Sequence, residues 1–363
     1  MNVKTIGECF SYIKNGANIK QGVLDGGYPI TRIETIADDQ FNRDRMGYAG
    51  ITNLKQYESY ILEDCDLLMS HINSVQYLGR TVLYRKENNE TILHGMNLLR
   101  LKPVRTLIDP SYARYFFYSR FFREQIGRIT KKSVNQASFS ISDLKNIKIL
   151  TPSLEKQKRI AEALDKVVET KKQKEQIEKK FDDLIKARFV EMFGDPIRNS
   201  KNLPTDKISE RYFLKAGITT SADEIHDYSE VYKTPCFGGN GVRGYVKSST
   251  YSGEYPIIGR QGALCGNIQF TTGNFHATEH AVLVTILQND NVLWVYYLLK
   301  FMDLNRFHTG AAQPGLSVKT LNTVDIITVD RKQQDEFASF AKQIDKSKVM
   351  KRLRLAHFLF VDR

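Results

Sequence analysis

The chain lacks any apolar run long enough to cross a bilayer. Its longest, residues 292–299 and 281–287, fall far short of the roughly 20 residues that a spanning helix needs. The N-terminus, Met-Asn-Val-Lys-Thr-Ile-Gly-Glu, follows no signal-peptide pattern, so the expected location is cytoplasmic, with no membrane contact. Cysteine is scarce: Cys9, Cys65, Cys236 and Cys265 stand alone, without C-x-x-C pairing. That excludes a disulfide frame or a zinc ribbon and fits reduced thiols in a core. There is no G-x-x-x-x-G-K-[ST] phosphate loop, no [DN]-P-P-[FY] tetrapeptide and no P-D…[DE]-x-K signature. Without a phosphate loop, a metal cluster or a nucleophile–base pair, the expectation is no catalytic residues, no metal and no enzyme activity of the chain's own.

Two motifs imitate chemistry that their contexts do not support. Gly239-Asn-Gly241-Val-Arg-Gly244 has the G-x-G-x-x-G spacing, which binds dinucleotides only between a strand and a helix. Pro235 precedes it and a β-like or turn-like stretch, Tyr245-Val-Lys-Ser-Ser, follows, so a flexible polar loop presenting Asn240 and Arg243 is expected. His276-Ala-Thr-Glu279-His280 matches H-x-x-E-H, whose chemistry needs both histidines on one helix face. Here they lie between a Gly273-Asn274 turn and a β-branched run, where alternation turns neighbours to opposite faces.

What the chain does have is positive charge and a second copy of itself. Lys and Arg number 53 against 41 acidic residues, a formal net charge of +12. That balance favours a polyanionic partner, nucleic acid before an acidic membrane surface. Gln136, Ser140, Ile141 and Leu144 reappear at an offset of 177 residues as Gln313, Ser317, Val318 and Leu321. The same offset relates Ile149 to Ile326, Gln157 to Gln334 and Ala161 to Ala338. The aromatic run at 109–118 parallels that at 290–299. A repeat this long means two equivalent domains rather than a solenoid, and two like reading heads suggest a ligand with two like halves.

Between the copies, residues 154–193 carry no Gly or Pro and abound in Lys, Glu, Gln and Leu, all strong helix formers. Ser153 is placed to cap the start and Gly194-Asp-Pro196 to stop the end. Apolar residues recur at helical spacing at both ends, while 169–176 is wholly polar. At 1.5 Å per residue such a helix spans on the order of 60 Å. It reads as a spacer that pairs with a partner helix, and a second charged helix starts at Arg331. Strands are expected at 60–62, 66–70, 81–84, 97–101, 255–258, 266–270 and 281–287, and one helix over 109–122.

Polar and basic loops with interleaved aromatics remain as candidate DNA contacts. In the first copy these are Arg32, Asn42, Arg43, Arg45, Asn73, Gln76, Lys131, Lys132 and Gln136. In the second they are Asn240, Arg243, Arg260, Gln261 and Gln313. Arg matches guanine edges in the major groove, and Asn or Gln match adenine. Any one of them can equally be a solvated loop residue.

Taken together, these residues resemble the specificity subunit of type I restriction–modification systems. The likeness rests on Pro152-Ser-Leu-Glu-Lys-Gln-Lys-Arg-Ile-Ala-Glu-Ala-Leu-Asp-Lys166, on Phe189-Val-Glu-Met-Phe-Gly-Asp-Pro196 and on Gln334-Asp-Glu-Phe-Ala-Ser-Phe-Ala-Lys-Gln-Ile-Asp-Lys-Ser-Lys348. It rests also on Gly238-Gly-Asn-Gly-Val-Arg-Gly-Tyr245, Ile258-Gly-Arg-Gln-Gly-Ala-Leu-Cys-Gly266 and Ala277-Thr-Glu-His-Ala-Val282. The resemblance implies an α+β fold: two mixed α/β target-recognition domains at 1–150 and 197–330, a central helical spacer at 151–196 and a distal helix at 331–363. The two helices would pair antiparallel, like a coiled coil, in a pseudo-twofold arrangement. It further implies a bipartite double-stranded DNA target, two methyltransferase subunits docked on the helices, and restriction subunits joining through them. S-adenosylmethionine, ATP and Mg²⁺ would belong to those partners. One departure is that residues 356–363 lack the family's usual continuation, so the distal helix is expected to be cut short. A non-catalytic coiled-coil adaptor in a related DNA-modification complex is the alternative.

Overall fold

A computed structural model describes residues 2–22, 27–134, 136–262, 264–310 and 314–361, with side chains of the last helix described through residue 348. The chain forms two compact units, residues 1–171 and 172–363, and the boundary falls inside one continuous helix, Leu154–Phe193. Ser153 accepts from the backbone N–H of Lys156 at its start, and Gly194 leaves it with φ +77°. A left-handed residue just past the last turn is where glycine avoids the Cβ clash.

In the first unit a four-stranded antiparallel sheet runs in the order Phe10–Asn15, Leu98–Pro103, Leu67–Ser70, Thr81–Leu83. Its apolar face packs on two short helices, Pro110–Tyr118 and Arg120–Ile129, through Phe10, Phe116, Phe117 and Phe122. The single helix expected over 109–122 is therefore broken at Ser119. Its hydroxyl donates to the Phe116 carbonyl and accepts from the Phe122 N–H, so the side chain competes with the helical ladder. The strand expected at 60–62 is a 3₁₀ turn, Glu58–Tyr60, followed by one isolated bridge from Ile61 to Leu93. Two further three-stranded sheets and a β-ladder between Asn2–Thr5 and Lys148–Thr151 complete the unit.

The second unit repeats this plan. Its four-stranded antiparallel sheet runs Tyr212–Ala216, Ala281–Ile286, Tyr255–Gly259, Ile268–Thr271 and packs on the helix Val292–Phe301. A second four-stranded sheet holds Gly241–Val246, Thr234–Gly238, Asn274–Ala277 and Tyr251–Ser252. Residues at the 177 offset do equivalent work in the two units. Ser140 and Ser317 cap short helices, and the carbonyls of Ile147 and Val324 each accept a backbone N–H at 2.9 Å, from Ile6 and from Ile208, which lie outside that offset.

Within the second unit the distal helix, Arg331–Val361, lies antiparallel to the Lys172–Phe193 part of the long helix. Arg188 pairs with Glu336 at 2.8 Å, whereas the earlier Asp182 pairs with the later Lys348 at 2.8 Å. Between them Phe189, Phe193 and Phe337, all fully buried, meet edge to face at 5.0–5.9 Å. Such rings bury large apolar areas and add a geometric preference to the packing. Among the described residues no helix is long and apolar enough to cross a membrane.

Candidate nucleic-acid interface

In the first unit, a three-stranded sheet brings together residues some 60 positions apart in sequence. Lys132 stands opposite Ala137, and Ala137 opposite Asn73; Lys131, Ser138 and Ile72 form the next row. Successive residues of a strand face opposite sides, so Lys131 and Lys132 diverge. The hairpin closes where the Ser133 N–H and hydroxyl both donate to the Gln136 carbonyl at 2.8 Å. Lys131, Lys132, Gln136 and Gln76 are exposed, as are Val134 and Val75, which leaves apolar tips between polar arms. Asn73 is more constrained: its amide donates to Ser70 and its carbonyl accepts the Ser74 N–H. Tyr77, a turn later, lies under the Arg80 guanidinium at 4.5 Å.

The other four candidates of this unit form a second cluster, and their side chains have internal partners. Arg43 grips Glu90 through two hydrogen bonds, of 2.9 and 2.7 Å, and also meets Glu87 and the rings of Phe41 and Tyr84. These Arg43 bonds, with the Glu87 N–H and Tyr84 hydroxyl, outweigh burial and hold the Glu90 carboxyl down at about 2. Asn42 caps the turn Arg43–Arg45 by accepting the Asp44 N–H, and Arg45 pairs with Asp38 at 2.7 Å. Arg32 donates to Gln21 and lies flat against the Gly47 backbone, where a Cβ would strike its guanidinium. A guanidinium already committed to a carboxylate has less capacity for a base or phosphate, so Arg43 orders its loop.

In the second unit two glycine-rich segments, 238–245 and 258–266, converge with 277–282. The G-x-G-x-x-G stretch, expected as a flexible loop, is a hairpin: Gly238 pairs with Gly241 across the Gly239-Asn240 turn, and Arg243 stands exposed on a strand. The strand Gly241–Val246 follows the turn where a phosphate-binding motif would need a helix to start. The hairpin tip lies so close to the end of the Tyr255–Gly259 strand that a Cβ on Gly259 would sit 1.8 Å from the Gly239 carbonyl. Only glycine permits that approach. Asn240 accepts from Asn267 at 2.8 Å, and the Arg260 N–H donates to the His280 carbonyl at 3.0 Å. Arg260 is half-buried, and its Nε is buried with no hydrogen-bond partner among the described residues. Gln261 is exposed and bridges to Gly315. Gln313 lies outside the described residues.

The structure therefore gathers Asn240, Arg260 and Gln261 and adds Asn267, which the sequence reading passed over as part of a strand. The one sequence signal is Gly266 just before Asn267, a residue type that marks turns; the structure gives it φ +87° and a close approach to Asn305. The histidines of H-x-x-E-H do not share a ligand. His276, in a strand, is held between the hydroxyls of Thr220 and Thr250, and burial lowers its pKa; His280 meets Glu279 at 3.1 Å. Among the described residues no group of three metal-ligating side chains gathers.

Residues 1–179 and 209–355 match the type I restriction modification DNA specificity domain. The specificity subunit of type I restriction enzyme EcoprrI of Escherichia coli is 43% identical over 133 residues, 36% of this chain and 33% of that protein. The protein assigned as the MjaX specificity subunit of Methanocaldococcus jannaschii is 39% identical over 164 residues, 45% of this chain and 38% of that one. The chain thus spans little more than a third of the length of the curated relatives it matches. The type I restriction–modification S subunit of M. genitalium has the same fold, with TM-score 0.62 at 16% identity over 99% of this chain and 93% of that chain. A chain from a structure on complex assembly and conformational transition of the type I R-M system gives TM-score 0.50 at 13% identity, over 99% and 93%. With both of its halves matched, the chain belongs to the type I restriction–modification DNA specificity family.

Proposed function

We propose that this chain is the DNA-reading subunit of a type I restriction–modification complex. Each unit reads one half of a bipartite double-stranded target, and the long helix sets the interval between the halves. The observation that carries the reading is the duplication. The same scaffold is built twice, each copy displaying its own cluster of Lys, Arg, Asn and Gln on short strands and turns, in a chain of net charge +12. Asn, Gln and Arg side chains carry the donor and acceptor pairs that distinguish bases in the major groove, while Lys131 and Lys132 suit phosphates. Two methyltransferase subunits would bind the helices, with restriction subunits joining the assembly. S-adenosylmethionine, ATP and Mg²⁺ would act on those partners, and this chain would itself cleave and methylate nothing.

The test is duplex binding followed by fluorescence anisotropy across a salt series. Displacement of several counterions gives a log–log slope of about −0.9 per phosphate neutralised. A steep slope supports the reading, and a flat line removes it in favour of a protein-binding adaptor.

A further inference from the structure

Each unit fastens one charged helix, Leu154–Phe193 in the first and Arg331–Val361 in the second, with a similar two-point clasp. In the first, Gln157 is fully buried: its Oε1 accepts the Asp109 N–H at 2.8 Å, and its Nε2 donates to the carbonyls of Leu107 and Pro152 at 3.1 and 2.8 Å. About two turns further on, Asp165 accepts from the Tyr115 hydroxyl at 2.6 Å and from Arg114 at 2.7 Å. In the second, buried Gln334 accepts the Asn291 N–H at 2.7 Å and donates to the Val329 carbonyl and Asp290. About three turns on, Asp345 accepts from the Tyr297 hydroxyl at 3.3 Å. Asp109 and Asn291 each cap the aromatic helix that carries the tyrosine, six residues before it. The clasp is thus duplicated in its parts, with the carboxylate one turn further along the helix in the second unit.

Apolar contacts alone, such as those of Ile160 and Ala161, are non-directional and let a helix roll and slide on its seat. Hydrogen bonds at two points along the axis fix both motions, because a buried amide leaves its donors and acceptors unpaired if the helix turns. B-DNA turns about 35° per base pair, from 10–10.5 pairs per turn. A recognition unit free to swing by that angle about its helix would accept a neighbouring spacer length.

We infer that the Gln157 and Tyr115–Asp165 clasp, with its counterpart at Gln334 and Tyr297–Asp345, is what restricts the complex to a single spacer length. This rests on the reading that the chain binds a bipartite DNA target. Gln157 and Tyr115 are positioning residues, and neither needs to touch DNA.

The experiment is chromosomal methylation mapping in cells carrying the full chain and its methyltransferase partner. Tyr115→Phe removes one exposed hydroxyl bond, and Gln157→Met keeps the shape without the polar atoms. An Ile160→Val control loosens the same seat without touching the clasp. Both clasp variants are expected to raise methylation at sites one base pair longer or shorter at least tenfold relative to the parent spacing, with the half-site bases unchanged. The control is expected to leave the spacing alone. Uniform loss of methylation at an unchanged spacing, seen in Tyr115→Phe even if Gln157→Met does not fold, overturns the inference. A parent motif without two halves overturns the underlying reading, and this one with it.

Discussion

Replacing Asp290 with Asn tests how the second unit is held together. Asp290 is almost fully buried and accepts from Arg211 Nε at 2.9 Å, Arg211 Nη2 at 2.7 Å, Gln334 at 2.7 Å and the Tyr212 hydroxyl at 3.2 Å. Asparagine keeps the shape but turns one acceptor into a donor facing donors, and it leaves the guanidinium without its main counter-charge. Removing one partner of a buried pair costs about 3–5 kcal/mol. Arg211 retains Asp206 at 3.0 Å and a side chain about a fifth exposed, which brings the expected loss to about 2–3 kcal/mol after allowance for solvent screening. For a unit of this size that lowers Tm by roughly 4–12 °C, measurable by scanning calorimetry. The pH dependence has a definite sign. Burial pushes the Asp290 carboxyl up, but the Arg211 and Gln334 hydrogen bonds and the Arg211 charge together hold it below its usual value. A depressed folded pKa contributes stability that is present above the unfolded value of about 3.9 and is lost as pH falls through the folded one. The parent should therefore lose its advantage over Asp290→Asn only in acid. A loss below about 0.5 kcal/mol at neutral pH, in the range of an ordinary surface substitution, would refute the reasoning.

Three further outcomes follow from the same geometry. Lys131→Ala with Lys132→Ala should weaken duplex binding across all sequences and flatten the salt slope by up to about 1.8, at roughly 0.9 per charge; an unchanged slope would move the phosphate contacts elsewhere. Arg243→Ala or Arg260→Ala should relax the base preference of one half-site only, at about 1–3 kcal/mol for a bidentate contact; methylation mapping that shows equal loss at both halves would make these residues structural. Inserting four residues within 169–176 adds about 6 Å of rise with a rotation near 40°. Against roughly 3.4 Å per base pair, the gap between half-sites should lengthen by one or two pairs, and an unchanged gap in an active complex would show that the helix is not the ruler.

Periodicity and repetition made the scaffold legible. The long helix runs over Leu154–Phe193 as its composition indicated, because no Gly or Pro interrupts forty residues of strong helix formers. The shared offset of Gln157 and Gln334 pointed to equivalent positions, and the structure shows equivalent hydrogen bonds. Local side-chain chemistry overrode pattern elsewhere. Ser119 breaks an aromatic run that reads as one helix, and Ile61 sits in an apolar stretch that finds a single bridge in place of a ladder. The site was harder to read, since partnership across sequence decides it. Arg43 has the composition of a DNA contact, yet Glu90, 47 residues away, takes its guanidinium. Asn267 reads as strand until Gly259 and Gly266 bring it beside Asn240.

The central claim, a two-part DNA target read by two like units, is tested most directly by mapping methylated bases across the genome of cells that carry this chain with the methyltransferase partner proposed for it. The account predicts one motif of two specific half-sites separated by a fixed run of unread base pairs, absent when the chain is deleted. A contiguous motif, or methylation that persists unchanged without the chain, would contradict it.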